Sequence, residues 1–123
     1  MTEITDHRLL REFLAAISAE RGASANTLAA YERDLVDFLA HTHRRNIDAT
    51  GARPADVTIY LRSLTEAGLA AASRARKLSS IRQFYKFLTA EGHVDENPTE
   101  LLAGPKKERP LPKTLSVSEV DLL

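Results

Sequence analysis

The chain has 123 residues, a length typical of one domain, and its 17 Lys and Arg residues balance 17 Asp and Glu residues. It contains no cysteine, which excludes a disulfide framework and any thiolate metal site. No apolar run reaches the roughly 18 residues of a membrane span, and the charged N-terminus lacks the apolar segment of a signal peptide. We therefore expect a cytoplasmic protein with no membrane partner. Taken as an average, the zero net charge argues against a nucleic-acid partner.

Apolar residues recur at helical spacing almost throughout, and no stretch alternates with period two. The first predicted helix has Asp6 as its N-cap and stops at Gly22. The second begins near Ser24 and fades over residues 42–45. Acidic residues flank its apolar stripe, so we expect one face to be solvated. The apolar residues of these two helices are Leu9, Leu10, Phe13, Leu14, Ile17, Leu28, Tyr31, Leu35, Phe38 and Leu39.

A third helix is predicted after Pro54, which suits a first-turn position, and it ends at Gly68. A fourth begins near Ala72 or Ser73 and stops at residues 91–92. Four helices with short connections predict an all-α, four-helix bundle.

Beyond the fourth helix, the helical spacing of apolar residues gives way to turn signals and a proline-rich segment. Residues 97–98, Asn-Pro, predict a turn, and residues 104–115 hold three of the five prolines, which favours an extended linker. Residues 116–119 have capping-box spacing, so 116–123 resemble the start of another helix. We therefore expect a domain at 1–103, a linker at 104–115, and the first residues of a further domain at 116–123.

The neutral total conceals blocks of charge. Residues 67–90 carry five basic side chains and no acidic one, whereas residues 91–103 carry four acidic side chains and no basic one. On a helical projection, a polar and basic set points away from the core of the fourth helix: Arg76, Ser79, Ser80, Gln83 and Lys86. Cations suit phosphates, and hydroxyl and amide groups suit base edges. The same face could instead be simply solvated, or be paired with the acidic block.

No constellation of residues indicates catalysis, a metal or a small-molecule cofactor. His41 and His43 are two residues apart and so lie on different helix faces. We interpret them, with His7 and His93, as surface histidines. Asp34 and Asp37 are interpreted as part of a solvated face, and the tyrosines as core residues: Tyr31, Tyr60 and Tyr85. Phosphate-loop and zinc-protease motifs are absent from the sequence.

Several sequence segments resemble segments of the tyrosine site-specific recombinases and phage integrases, most closely those of their Xer group. The segment Ser24-x-Asn26-Thr27-x-x-x-Tyr31-x-x-Asp34-Leu35 is similar to the second helix of that family's N-terminal domain. Arg76-x-Leu78-Ser79-x-Ile81-Arg82-x-Phe84-Tyr85-x-Phe87-Leu88 is similar to its fourth helix. Asn97-Pro98, Pro105-Lys106 and Leu111-Pro112-Lys113 resemble the exit towards the catalytic domain.

The resemblance implies a core-binding, SAM-like domain that forms half of a C-shaped clamp around a double-stranded DNA recombination site. The catalytic Arg, Lys, His and Tyr of the family belong to the following domain, so this chain would bind DNA without being an enzyme. The intact protein would cut and rejoin DNA through a phosphotyrosyl intermediate. It would act with a second recombinase, in chromosome dimer resolution at cell division. No cofactor is implied.

The resemblance, together with the outward polar face, gives a set of candidate DNA contacts. Arg76 is the candidate for a base edge because its forked guanidinium suits guanine O6 and N7, while Arg74 and Lys77 are candidates for phosphates. The full set is Asn26, Thr27, Arg33, Ser73, Arg74, Arg76, Lys77, Ser80 and, in the linker, Lys106, Lys107 and Arg109. Two other functions remain open: a helical scaffold whose positive face docks an acidic protein, and a stand-alone DNA-binding repressor.

Overall fold

The computed structural model describes residues 2–102, with side chains from residue 4 onward. This part of the chain is all-α: α1 (Thr2–Arg21), α2 (Ala25–Arg44), α3 (Pro54–Glu66) and α4 (Ala71–Ala90), with one 3₁₀ turn at Ala49–Gly51 between α2 and α3. The predicted all-α, four-helix architecture is confirmed. The predicted linker at 104–115 and the predicted helix start at 116–123 lie outside the described residues.

The helix boundaries follow local signals that the sequence carries. Ser24 caps α2, because its Oγ accepts a hydrogen bond from the backbone N–H of Thr27 at 3.1 Å. Pro54 occupies the first position of α3, where no backbone donor is needed. Gly68 follows α3 with a φ of 90°, a left-handed conformation that glycine adopts without strain.

All four helices contribute to one apolar core. Its aromatic rings meet edge to face: Phe13 and Phe84 lie 5.6 Å apart between ring centroids, and Phe38 lies 5.2 Å from Tyr60 and 6.2 Å from Tyr85. The buried apolar side chains are Leu9, Leu10, Phe13, Ile17, Leu35, Phe38, Leu39, Ala49, Val57, Tyr60, Leu64, Leu78, Ile81, Phe84, Tyr85, Leu88 and Val94. The core interpretation of the tyrosines holds for Tyr60 and Tyr85, whereas Tyr31 is only half-buried.

The end of α2 and the 3₁₀ turn are fastened to α1 by a buried carboxylate. Asp6 Oδ2 accepts the backbone N–H of Ala49 at 3.0 Å and lies 2.8 Å from His43 Nε2. Tyr85 donates its hydroxyl proton to the carbonyl of the same Ala49 at 2.6 Å. The prediction that Asp6 caps α1 is therefore wrong: the helix begins earlier, and Asp6 lies inside it, 1% exposed.

The prediction of surface histidines is wrong for His41 as well as His43. The ring of His41 packs against Tyr60 with centroids 5.1 Å apart, and its Nε2 is buried without a hydrogen-bond partner in the described part of the chain. Burial, and then the positive charges of Arg45 and Arg44, lower the pKa of His41 below its ordinary value. Neutral imidazole is therefore favoured at this position.

The segment after α4 folds back onto the bundle. Asn97 forms a turn in which its Oδ1 accepts hydrogen bonds from the backbone N–H of Thr99 at 2.8 Å and from its hydroxyl at 2.6 Å. Val94 and Thr99 are buried, and Arg82 of α4 donates to the carbonyl of Leu102. Among the described residues, no helix is long and apolar enough to cross a membrane.

Candidate nucleic-acid interface

The start of α2 presents exposed polar groups beside free backbone donors. The Ser24 hydroxyl donates to Thr27 Oγ1 at 3.0 Å, so the hydroxyl proton of Thr27 remains available to an outside acceptor. The first turn of α2 contains no acidic residue. The positive end of the helix dipole is therefore not offset locally by a carboxylate of α2, which favours an anion near Asn26 and Thr27.

Asn26 and Arg33 occupy one exposed face of α2. They are seven residues apart, so they differ by only about 20° around the helix axis. Both are exposed, and Arg33 makes no hydrogen bond or ion pair with the described part of the chain. These two candidate DNA contacts therefore point to the same side of α2, towards solvent.

A buried carboxylate joins α2 to α4 at the centre of this region. Asp34 is 1% exposed and accepts from Arg76 twice, with Oδ2 3.2 Å from Nε and Oδ1 2.8 Å from Nη2. Ser80 donates its hydroxyl to Oδ2 at 2.9 Å, and Lys77 Nζ lies 3.4 Å from Oδ1. The same ammonium lies 3.7 Å from Asp37 Oδ2. One carboxylate therefore receives three side chains from the neighbouring helix.

The interpretation of Asp34 as a solvated residue is wrong. Burial on its own raises the pKa of the Asp34 carboxyl, but the hydrogen bonds from Arg76 and Ser80 and the charges of Lys77 and Arg76 outweigh it. The pKa of Asp34 consequently lies below its ordinary value. Asp34 is a permanent buried anion at neutral pH, held by donors on α4.

The geometry also shows that two of the α4 candidates for DNA contact are turned inward. The Ser80 side chain is 4% exposed and faces α2, and the Lys77 side chain is 13% exposed between two carboxylates. The helical projection places Ser80 on the outward face, and this is wrong because α2 packs over that side of α4. The Arg76 side chain, by contrast, is 52% exposed although it is bonded to Asp34.

A shallow groove runs between α2 and α4 where these groups meet. Its volume is about 230 Å³, and it is lined by Thr27, Ala30, Tyr31, Asp34, Arg76, Ser79 and Ser80. Hydroxyls from both helices and one exposed guanidinium thus lie along a single concave strip. Such a strip is open enough to receive a strand edge or a phosphate, whereas an enclosed pocket would select a small molecule.

The remaining basic residues of α4 divide into bonded and unbonded groups. Arg74 turns back to donate from Nη1 to the carbonyl of Leu69 at 2.6 Å, and Arg82 is bonded to the carbonyl of Leu102. Lys86 is exposed and makes no hydrogen bond or ion pair with any residue between 4 and 102. Most of the positive charge counted from the sequence is therefore already engaged inside the domain.

The structure brings together some of the sequence-derived candidates and not others. Thr27, Arg76 and Ser80 line one groove, with Asn26 and Arg33 on the adjoining face of α2. Ser73 is half-buried in the first turn of α4. Lys106, Lys107 and Arg109 lie outside the described residues, so their contact with DNA stays a prediction. In residues 4–102 there is no cluster of side chains suited to a metal ion.

Comparison with known proteins gives one family and many relatives. Residues 10–92 match the family described as phage integrase, N-terminal SAM-like domain. The chain is 48% identical over 118 residues to the tyrosine recombinase XerD of Agrobacterium fabrum, covering 96% of this chain and 36% of that protein. It is 51% identical over 111 residues to XerD of Rhizobium meliloti, covering 90% and 36%. It is 49% identical over 116 residues to the tyrosine recombinase XerC of Erythrobacter litoralis, covering 93% and 35%.

The chain thus spans about a third of the length of these curated relatives. No solved structure gives a match.

Proposed function

Because the chain belongs to the phage integrase N-terminal SAM-like domain family, we propose that it binds duplex DNA through the α2–α4 face. The resemblance to Xer-type tyrosine recombinases inferred from the sequence is confirmed. The observation that carries the proposal is the Arg76 guanidinium, 52% exposed and fixed beside hydroxyl groups in an open groove. A fixed, exposed guanidinium is the commonest side-chain reader of guanine in the major groove.

The groups on this face divide by chemistry into two roles. Arg76 and the exposed Ser79 contact base edges. Thr27, Arg33 and the backbone donors at the start of α2 contact phosphates, while the buried Ser80 supports Asp34 from inside the domain. Asn26 and Ser73 extend the same face. Arg74 and Lys77 are already bonded within the domain, so each contributes less to the salt dependence of binding than a free cation does.

The whole protein acts as a tyrosine recombinase in this proposal, because its relatives carry that name and are about three times longer. The described domain binds one side of a recombination half-site, and a following domain cuts and rejoins the DNA strands. The partners are that domain and a second, XerC-like recombinase on the same DNA. Resolution of chromosome dimers at cell division is the cellular role, in the cytoplasm.

A duplex-binding titration tests the proposal. The 123-residue chain is titrated with a randomised DNA duplex at about 50 and about 200 mM salt, with Arg33→Ala beside the matched control Arg62→Ala on α3. We expect affinity to fall with salt, and Arg33→Ala to lower the slope of log K against log salt by about 0.9, as one lost phosphate contact does. Arg62→Ala should leave that slope unchanged. Absence of duplex binding at low salt would refute the proposal and favour the protein-docking scaffold.

A further inference from the structure

We propose that Asp34 is a positioning residue for sequence recognition: it holds the Arg76 guanidinium in one orientation and thereby sets which bases the domain selects. The inference rests on the proposed function, since it concerns how the DNA-binding face reads sequence. It assigns a role in recognition to an acidic residue that is itself buried between α2 and α4.

The first argument is the edge of the guanidinium that Asp34 occupies. Arginine has five N–H donors in one rigid plane. Asp34 takes the Nε–H and one Nη2–H, at 3.2 and 2.8 Å. The other Nη2–H and the adjacent Nη1–H form a second fork, and neither donor makes a hydrogen bond with the described residues. That free fork has the donor spacing that guanine O6 and N7 accept.

The second argument is that the carboxylate is saturated. A carboxylate offers about four lone-pair positions, and Asp34 fills them with two contacts to Arg76, one to Ser80 and one to Lys77. The three partner residues lie within about one turn of α4, from Arg76 to Ser80, so the carboxylate cannot rotate without breaking several bonds. Arg76 is therefore held more firmly than a surface ion pair would hold it.

The third argument concerns charge, and it separates this role from a purely structural one. Asp34→Asn keeps the size of the side chain but removes one negative charge beside the DNA-binding face. Binding to arbitrary sequence should then strengthen, because the local field becomes more positive. Discrimination between sequences should weaken, because Arg76 is no longer fixed. A variant that merely loosens the fold would instead lose both kinds of binding.

The experiment is a selection from a pool of DNA duplexes with a randomised core, carried out with the 123-residue chain and its Asp34→Asn variant. The preferred wild-type duplex and a scrambled duplex are then titrated with each protein. We expect the ratio of the two affinities to fall about tenfold or more in Asp34→Asn, the size of one lost bidentate base contact. Affinity for the scrambled duplex should be equal or higher.

Asp6→Asn is the matched control. Asp6 is equally buried, accepts from His43 and Ala49, and lies towards the other end of the bundle. A folded Asp6→Asn protein should keep the wild-type affinity ratio.

A double-mutant cycle is completed by two further variants, Arg76→Lys and Asp34→Asn/Arg76→Lys. Once the forked side chain of Arg76 is gone, Asp34→Asn should cause no further loss of sequence discrimination.

The signal of the Arg76 Nε–H in a nitrogen-resolved NMR spectrum tests the positioning without DNA. We expect it to be protected from solvent exchange in the wild type and lost in Asp34→Asn. If the wild type binds no duplex, the proposed function fails, whatever this signal shows. If the wild type discriminates between duplexes and Asp34→Asn discriminates equally well, the positioning role is refuted.

Discussion

Replacing Asp34 by alanine tests how strongly the α2–α4 contact depends on one buried charge. The substitution leaves Lys77, 13% exposed, facing only Asp37, and it leaves the buried Ser80 hydroxyl without its acceptor. Removing one partner of a buried ion pair costs about 3–5 kcal/mol. Arg76 is half-exposed and can turn to water, so we expect the lower end, about 3 kcal/mol.

Urea unfolding followed by circular dichroism measures this change. With a slope of about 1–3 kcal/mol per molar urea, a loss of 3 kcal/mol moves the midpoint by roughly 1–3 M. Domains of this size are stable by about 5–15 kcal/mol, so the variant should still fold at room temperature. Glu32→Ala, an exposed acidic position on the same helix, is the control and should change stability by less than about 0.5 kcal/mol.

The pH dependence of the difference gives a second check on the same reasoning. The pKa of Asp34 is lowered in the folded state, so its stabilisation is complete above the unfolded value of about 3.9 and is lost as pH falls through the folded value. The difference in free energy of unfolding between wild type and Asp34→Ala should be constant from neutral pH to about pH 5 and should shrink below about pH 4. A gap under about 1 kcal/mol at neutral pH, or one that does not shrink in acid, would refute the reasoning.

Three other outcomes are expected. Arg76→Ala should cost about 1–3 kcal/mol on the preferred duplex and relax the selected sequence; equal loss on every duplex, in the same titrations, would remove its base-contact role. Tyr85→Phe should lower the free energy of unfolding by about 1–2 kcal/mol, because the buried carbonyl of Ala49 loses a donor; an unchanged thermal midpoint would contradict this. Burial raises the pKa of Tyr60 and of Tyr85. Tyrosinate absorbance from both should therefore develop only as the protein unfolds above about pH 10. Ionisation of both tyrosines while the circular dichroism spectrum is still native would contradict this prediction.

The helices were predictable because their signals are local. Ser24, Pro54 and Gly68 act on the backbone of their own segment, and the apolar spacing of each helix is independent of its neighbours. The end of α4 at Ala90 follows from Gly92 for the same reason. Helix limits therefore agreed with the sequence at both ends of α2, α3 and α4 to within a residue or two.

The bonding of the candidate site depends on residues that are distant in sequence. Asp34 lies beside the apolar stripe of α2, and the sequence of that helix alone does not show whether this position is exposed to solvent or buried. Its donors lie 42–46 residues away, on α4. Asp6 was misassigned for a similar reason, since Ala49 and His43 decide its role. A projection of one helix shows which way a residue points, but the neighbouring helix determines what it meets.

If the α2–α4 face reads DNA as proposed, the shared carboxylate restricts how its sequence preference can change over time or by design. Substituting Arg76 alone would leave the Asp34 carboxylate without its main partner beside the proposed DNA-binding face, so repulsion of phosphates would add to the lost base contact. Replacing Asp34 alone would release the Arg76 side chain, which in the proposed role would then bind phosphates of any sequence. New specificity is therefore accessible mainly through paired substitutions at the two positions. Directed evolution of this face should vary them together, in one library.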